Sequence, residues 1–260
     1  NCKYLFGERF YAKNSICDWS NFEEDFNFIK LRLNQKLFVA HPLAVCNNFD
    51  DLPIQKKAAE IWANDKFPYD DSLGSIQKYK KNNKIKIGYF SGDFSEHPVG
   101  FLMADLFEKH DKTKFELFGF SVTKKINSET RIRIKKSFDE FIDVENHSDK
   151  DVALLAREKK IDIAIDLGGY TKSSRPGIFS KRAAPIQISY LGYPGTTGAN
   201  YIDYIFSDKF IIPKKSQQYY TEKVIYLPKC FQPNEDNLPV SKKIFTRKSQ
   251  GLPETGFVFC

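Results

Sequence analysis

Several features that mark common protein classes are missing from this 260-residue sequence. The five cysteines are an odd number and form no Cys-x-x-Cys pair, which excludes a disulfide scaffold and a typical zinc site. No apolar run reaches the length of a membrane span, and we expect no signal peptide. There is no G-x-G-x-x-G or P-loop motif for a dinucleotide or ATP, and no Ser-His-Asp, Cys-His or metal-ligand pattern. These absences predict reduced, partly buried thiols in a cytoplasmic protein that does not enter a membrane.

The composition is that of a folded protein with an excess of positive charge. Hydrophobic residues make up 41% of the chain and charged residues 28%, enough for one or two domains with a real core. The net charge of +7 is spread along the chain. It either attracts an anionic ligand such as a nucleotide sugar or belongs to ordinary solvated faces. No aromatic residues alternate with the basic ones, so nucleic acid is not an expected partner.

The first 80 residues are predicted to be helical. Ser20 and Glu23 have the spacing of a capping box before a helix over Phe26–Leu33. A second helix is predicted over Leu52–Phe67, where Pro53 suits the first turn.

From Lys84 onward, predicted strands and helices alternate. The predicted strands are Ile85–Phe90, Phe115–Val122, Phe141–Val144, Ile161–Leu167, Ile186–Tyr190, Tyr204–Phe206 and Val224–Leu227. The predicted helices are Pro98–Lys109, Ser128–Phe138, Asp149–Lys159 with Ser148 as its cap, and Arg175–Arg182. This alternation predicts an α/β fold: a Rossmann-like parallel sheet with helices on both faces.

A loop rich in glycine, proline and threonine follows the predicted strand that ends at Tyr190. It contains Gly192, Pro194 and Thr196 and extends to Gly198. Loops at the carboxyl ends of parallel strands are where ligands bind in such sheets, although a plain connecting turn has the same composition.

A second glycine-containing loop follows the strand that ends near Asp166, and it includes Gly169, Tyr170 and Lys172. Asp166 is at the carboxyl end of its strand and is therefore closer to the expected cleft than Asp162. Lys172 and Arg175 could contact a phosphate or an acidic acceptor, or could lie in solvent at the start of a helix.

His97 is the main candidate for chemistry. It follows the first strand of the sheet, and Pro98 suits the first turn of the next helix. The positive end of that helix would keep the imidazole neutral and able to accept a proton. The alternative is that His97 is a helix cap or loop hydrogen-bonding residue. Asp93, in the same loop, is expected to accept hydrogen bonds from loop amides.

Three stretches, in order along the chain, resemble sequence blocks of the O-GlcNAc transferase and SPINDLY family, glycosyltransferase family 41. They are Ile87–Met103 (IGYFSGDFSEHPVGFLM), Asp166–Lys172 (DLGGYTK) and Arg182–Asp208 (RAAPIQISYLGYPGTTGANYIDYIFSD). The resemblance covers roughly residues 10–260 and is strongest over 84–230.

The resemblance implies an inverting protein O-glycosyltransferase that moves GlcNAc from UDP-GlcNAc to Ser or Thr hydroxyls, without a metal cofactor. It places His97 at the active site, as a base or as a positioning group. It also implies that Gly192, Pro194 and Thr196 line the sugar side of the donor site. Together with the loop after the strand that ends near Asp166, the predicted substrate-binding residues are Asp166, Gly169, Tyr170, Lys172, Gly192, Pro194 and Thr196. The animal enzyme carries a His at the position that matches Asp162, so a catalytic role at that position is in doubt.

The resemblance further implies a division of the chain. Residues 1–80 would link to an upstream tetratricopeptide array, 81–250 would form the first lobe of a GT-B enzyme, and 251–260 would begin the second lobe. A turn over Leu252–Gly256 is expected to lead into a strand. The chain is therefore expected to be a fragment that does not turn over alone.

Two alternative functions remain open from the sequence. One is transfer of fucose or another hexose, since the SPINDLY branch uses GDP-fucose. The other is a non-catalytic interaction module attached to helical repeats.

Overall fold

The helical part of the chain comes first in the structure, a computed structural model that describes residues 3–77, 79, 83–123, 127–236 and 242–259. Its helices are α1 (Leu5–Ser15), α2 (Phe22–Asn34), α3 (Pro42–Asn48) and α4 (Leu52–Lys66). They pack around an apolar cluster that contains Phe10, Ile29 and Leu33. The sequence predicted α2 and α4 but not the shorter α1 and α3.

Seven parallel strands in the described residues form one sheet. They are β1 (Ile85–Ser91), β2 (Phe115–Ser121), β3 (Glu140–Asp143), β4 (Ile163–Asp166), β5 (Ile186–Ser189), β6 (Tyr204–Ser207) and β7 (Lys223–Tyr226). The helices between them are α5 (Pro98–Glu108), α6 (Glu129–Ser137), α7 (Asp149–Glu158) and α8 (Gly177–Ser180). The strand order β3-β2-β1-β4-β5-β6-β7 confirms the predicted α/β Rossmann-like fold.

Successive side chains along a strand point to opposite faces of the sheet. Both faces carry apolar side chains, and helices cover both. On β1, Ile87 and Tyr89 pack in a cluster with α5 and α6. Phe90 instead packs in a second cluster with α7, α8 and, from the helical region, α4. Through α4, the helical region therefore packs into the core of the sheet, in addition to having its own apolar cluster.

Local capping signals explain where several helices begin. The Ser148 side chain accepts a hydrogen bond from Asp151 N, and Asp151 accepts in return, so the cap predicted for α7 is confirmed as a full capping box. Asp51 caps α4 by accepting from Ile54 N at 3.2 Å.

The capping box predicted at Ser20 is wrong. The Ser20 hydroxyl donates to Asp18 Oδ1 at 2.5 Å, and the Ser20 amide donates to the same oxygen. Asn21 is the residue before α2, and its side chain makes no capping bond. Because the Ser20 hydroxyl is hydrogen-bonded to Asp18 in a local turn, it is not available to cap α2.

Two other expectations were also inaccurate. Residues 251–259 form no strand: they are turns, bends and irregular backbone. Of the cysteines expected to be partly buried, Cys17 and Cys230 are exposed and only Cys46 is half-buried, while Cys2 and Cys260 lie outside the described residues. Across the described ranges, no helix combines the length and the apolar character that crossing a lipid bilayer requires.

The stacked pair Phe90 and Phe120, with ring centroids 4.4 Å apart, provides a test of the core. Phe120→Ala removes a fully buried ring and is expected to lower the free energy of unfolding by about 3–5 kcal/mol. Phe101→Ala, on the exposed side of α5, is the matched control and is expected to change it by about 0.5 kcal/mol at most. Urea unfolding followed by circular dichroism measures both. Equal losses would contradict the assignment of the core.

Candidate active site

Three loops come together at one edge of the sheet because their strands are adjacent and parallel. Phe90 of β1 pairs with Asp166 of β4, and Asp166 pairs with Ser189 of β5. The loop with His97 follows β1, the 167–172 turn follows β4 and the 190–198 turn follows β5. All three therefore lie at the carboxyl edge, where ligands bind in open α/β sheets.

The turns after β4 and β5 contact each other directly. A side chain at Gly192 would lie 2.0 Å from the backbone oxygen of Leu167, so only glycine fits there. The Tyr170 hydroxyl donates to the backbone oxygen of Thr197 at 2.6 Å. The rings of Tyr170 and Tyr193 meet edge to face at 5.3 Å. The two turns are thus one packed unit.

Glu222 stabilises the turn after β5 by hydrogen bonds to its threonines, and the sequence analysis did not identify it. Its carboxylate accepts from Thr196 Oγ1 at 2.6 Å, from Thr197 N at 2.7 Å and from Thr197 Oγ1. Glu222 is only 4% exposed, and these donors compensate the cost of burying its charge. The two adjacent threonines were the one signal that could have pointed to a buried acceptor.

The helical region supports the same turn at Gly198. This residue has φ +64°, and a side chain there would lie 2.3 Å from Glu60 N of α4. The close backbone approach that the glycine-rich loop suggested is therefore, at Gly198, an approach to α4.

Asp166 is buried at the start of the turn after β4. Its Oδ1 accepts from Gly168 N at 2.9 Å. Burial raises the pKa of Asp166 to about 6, and hydrogen bonds from the Gly168 and Gly169 amides oppose that rise.

His97 is the N-cap of α5. Its Nδ1 accepts from Val99 N at 3.3 Å, so the helix-cap alternative describes its contact within the chain. The imidazole Nδ1 also lies 3.8 Å from Asp93 Oδ2, and 45% of the His97 side chain is exposed. Burial raises the pKa of Asp93, while the neighbouring His97 opposes that rise. The hydrogen bonds and ion pairs of the described residues do not link His97 to either turn.

The structure divides the other predicted site residues into exposed and buried ones. Lys172 and Pro194 are exposed, whereas Gly169, Tyr170 and Thr196 are buried. The Tyr170 hydroxyl joins the two turns, and the Thr196 hydroxyl joins the turn after β5 to Glu222.

Two other charged residues considered in the sequence analysis, Arg175 and Asp162, have structural partners. Arg175 donates to Asp149 Oδ1 at 2.7 Å and to the Val144 and His147 carbonyls, so its guanidinium ties the loop to the start of α7. Asp162 accepts from Lys86 N at 2.9 Å, at the opposite edge of the sheet. Within the part of the chain that the structure describes, no three His, Cys, Asp or Glu side chains are grouped so as to hold a metal ion.

A cavity of about 430 Å³ opens beside the turn after β4. It is lined by Tyr11 of α1, His41 and Leu43 at the start of α3, and Tyr170 and Lys172 of the turn. Two larger hollows of about 580 Å³ lie elsewhere, one among α1, α2 and the residues after α2, the other on the α5 face of the sheet. Of the three loops, only Tyr190 lines either hollow. We therefore place the candidate site by the loops and not by cavity size.

Comparison with known proteins shows which family this chain resembles. The family model described as glycosyl transferase family 41 matches residues 43–237. The probable UDP-N-acetylglucosamine–peptide N-acetylglucosaminyltransferase SEC of Arabidopsis thaliana is 41% identical over 182 residues, which are 68% of this chain and 18% of that protein. The SPINDLY protein of the same plant, with the same description, is 34% identical over 150 residues, 56% of this chain and 16% of that protein.

A solved structure agrees with these relatives. An O-GlcNAc transferase mutant from Thermobaculum terrenum superposes with a TM-score of 0.69 at 27% identity, covering 82% of this chain and 43% of that one. The chain thus spans less than a fifth of the curated relatives it matches and under half of that solved chain. The resemblance of the three sequence blocks and the Rossmann-like fold are confirmed.

The raised pKa of Asp166 predicts a pH-dependent stability. Between its ordinary value of 3.8 and its folded value of about 6, the native state binds more protons than the unfolded state. The stability contributed by Asp166 is therefore present at about pH 4 and falls by about 3 kcal/mol as pH rises through 6. Asp166→Asn removes this change, so urea unfolding of both proteins at pH 4 and 7 measures it. A wild-type-minus-variant difference that is equal at both pH values would refute the prediction.

Removing the Glu222 carboxylate should loosen the turn after β5. Glu222→Ala leaves three buried donor groups of Thr196 and Thr197 without their acceptor, and we expect a loss of about 2–5 kcal/mol in unfolding free energy. Glu222→Gln keeps an acceptor oxygen and should lose about half as much. Urea unfolding and hydrogen exchange at the Thr197 amide are the measurements, with the exposed Glu254→Ala as control. Unchanged exchange in Glu222→Ala would show that the carboxylate does not hold the turn.

Proposed function

Because this chain belongs to glycosyl transferase family 41, we propose that it forms the first lobe of a protein O-glycosyltransferase that moves GlcNAc from UDP-GlcNAc to Ser or Thr hydroxyls. The observation that carries the proposal is that the family match includes all three loops, which the sheet brings to one edge. The names of the SEC and SPINDLY relatives support the donor and the protein acceptor.

The proposed reaction sets three requirements for the site. The acceptor oxygen forms a bond to the anomeric carbon from the face opposite the leaving group, while the bond to the diphosphate breaks and the diphosphate leaves with the electron pair. The hydroxyl proton must pass to a base, and the reacting atoms must be held in contact. The charge that develops on the diphosphate must meet hydrogen-bond donors or cations.

The exposed part of the edge offers groups suited to these tasks. His97, Lys172 and Pro194 are exposed there and Gly192 is half-buried. A sugar could rest on the turn that contains Gly192 and Pro194. Lys172 lies on the cavity beside α1 and α3, which gives an acceptor polypeptide a route to the edge. The buried site residues support this surface from the interior of the protein. They are Asp166, Gly169, Tyr170 and Thr196.

The proposal includes a second lobe and an upstream helical array in the full-length protein. Helix N-termini and basic side chains, many of them from the second lobe, would stabilise the diphosphate without a metal cofactor. Residues 1–80 would join a tetratricopeptide array, and residues 251–260 would begin the second lobe. Free thiols at Cys17, Cys46 and Cys230 support a cytoplasmic location, where disulfides are rare.

A different donor sugar is the second candidate function. SPINDLY proteins are among the relatives. The resemblance of the sequence blocks, not the names of these relatives, implies GDP-fucose as the donor of that branch. The descriptions of both the SEC and the SPINDLY relative name UDP-N-acetylglucosamine, which favours UDP-GlcNAc as the donor.

Incubating the full-length protein with a Ser/Thr peptide and UDP-GlcNAc, GDP-fucose or UDP-glucose tests the proposal. We expect mass spectrometry to detect a GlcNAc-modified peptide with UDP-GlcNAc only. The 260-residue chain alone should give no product, since the groups that bind the diphosphate would lie on the second lobe. Transfer of fucose from GDP-fucose would show that the donor is GDP-fucose and not UDP-GlcNAc. Turnover by the 260-residue chain would contradict the two-lobe division. If no nucleotide sugar binds, the protein is an interaction module.

A further inference from the structure

The hydrogen bond between His97 and the start of α5 determines which ring nitrogen carries the proton. The donor is Val99 N, 3.3 Å from Nδ1. A backbone N–H can only donate, so Nδ1 must present its lone pair. The neutral imidazole then has its hydrogen on Nε2.

The start of α5 makes this bond the natural choice for His97. Pro98 occupies the first helical position and has no N–H, so Val99 supplies the first amide of the helix that needs an acceptor. The backbone of His97 is extended, as in typical N-cap residues, and its side chain supplies that acceptor. Moving the proton to Nδ1 would break the cap and leave the Val99 amide, in a buried residue, without its acceptor.

Asp93 is the group that could favour the opposite arrangement. Its Oδ2 lies 3.8 Å from Nδ1, beyond hydrogen-bond distance. An Nδ1–H directed at Asp93 would free Nε2 to accept a proton, as in the carboxylate–histidine pairs that orient a general base. In the structure the cap bond takes the place of that pair.

We propose that His97 serves this site as a hydrogen-bond donor through Nε2–H, and that it does not accept the proton of the acceptor hydroxyl. This inference rests on the proposed function and decides between the base and the positioning roles. Within the described residues Nε2 has no hydrogen-bond partner, and the side chain is 45% exposed, so the N–H is available to an oxygen of the nucleotide sugar.

Nitrogen-15 NMR of the 260-residue chain tests the tautomer without any activity. Protonated and unprotonated ring nitrogens resonate far apart, and His97→Asn identifies the His97 signals among the four histidines. We expect a protonated Nε2 and an unprotonated Nδ1, and the same tautomer in Asp93→Asn. A protonated Nδ1 in the neutral ring would overturn the proposal, whether or not the protein proves to be a glycosyltransferase.

Kinetics of the full-length protein separate a donor from a base. His97→Asn keeps an acceptor for the Val99 amide but loses the donor at the Nε2 position, so kcat should fall about 10²–10³-fold. His97→Gln places an amide N–H near that position and cannot act as a base. We expect it to be at least about tenfold faster than His97→Asn, the worth of one hydrogen bond. Equal rates for the two variants would overturn the donor role.

Asp93→Asn is the matched control for an orienting carboxylate. Under the proposal it changes kcat by at most about fivefold, the effect of a weak ion pair. Replacing a carboxylate that orients a histidine base lowers kcat roughly 10⁴-fold. A loss of that size in Asp93→Asn would show that Asp93 sets the tautomer and that His97 is a base. Unfolding curves of the Asn and Gln variants at position 97 establish that each folds.

Discussion

Parallel pairing of β1, β4 and β5 is the constraint on which the site depends. Phe90, Asp166 and Ser189 lie side by side in register, one on each strand. The carboxyl ends of adjacent parallel strands lie at the same edge of the sheet, so the three loops that follow these strands meet there. Helices on both faces hold this register, because a one-residue slip would exchange the two side-chain sets of each strand between the faces.

Buried polar contacts give the edge its shape. A carboxylate as buried as Glu222 is costly unless donors surround it, and Thr196 and Thr197 supply them. The Tyr170 hydroxyl then ties the turn after β4 to the turn after β5. A consequence is that two conspicuous polar residues of the sequence blocks, Tyr170 and Thr196, face inward, and the outer surface is left to His97 and its exposed neighbours.

The helical region is a structural part of the site. Its α4 contributes Ala59 and Ala63 to the core of the sheet, and its backbone is in close contact with Gly198. The family match begins at residue 43, within this region, which agrees with the shared core. The segments before and after residue 80 are therefore joined through α4, although the first also has an apolar cluster of its own.

From Lys84 onward, the sequence by itself determined the succession of strands and helices along the chain, the parallel α/β class and the cap at Ser148. These features depend on periodicity and on neighbours three or four residues apart. It misjudged Ser20, where Asp18 competed for the hydroxyl. Only the tertiary structure decided that Glu222 fastens a turn 25 residues upstream and which ring nitrogen of His97 is engaged. The partner across a fold and the direction of a side chain depend on packing in three dimensions, which a linear pattern of residue types does not specify.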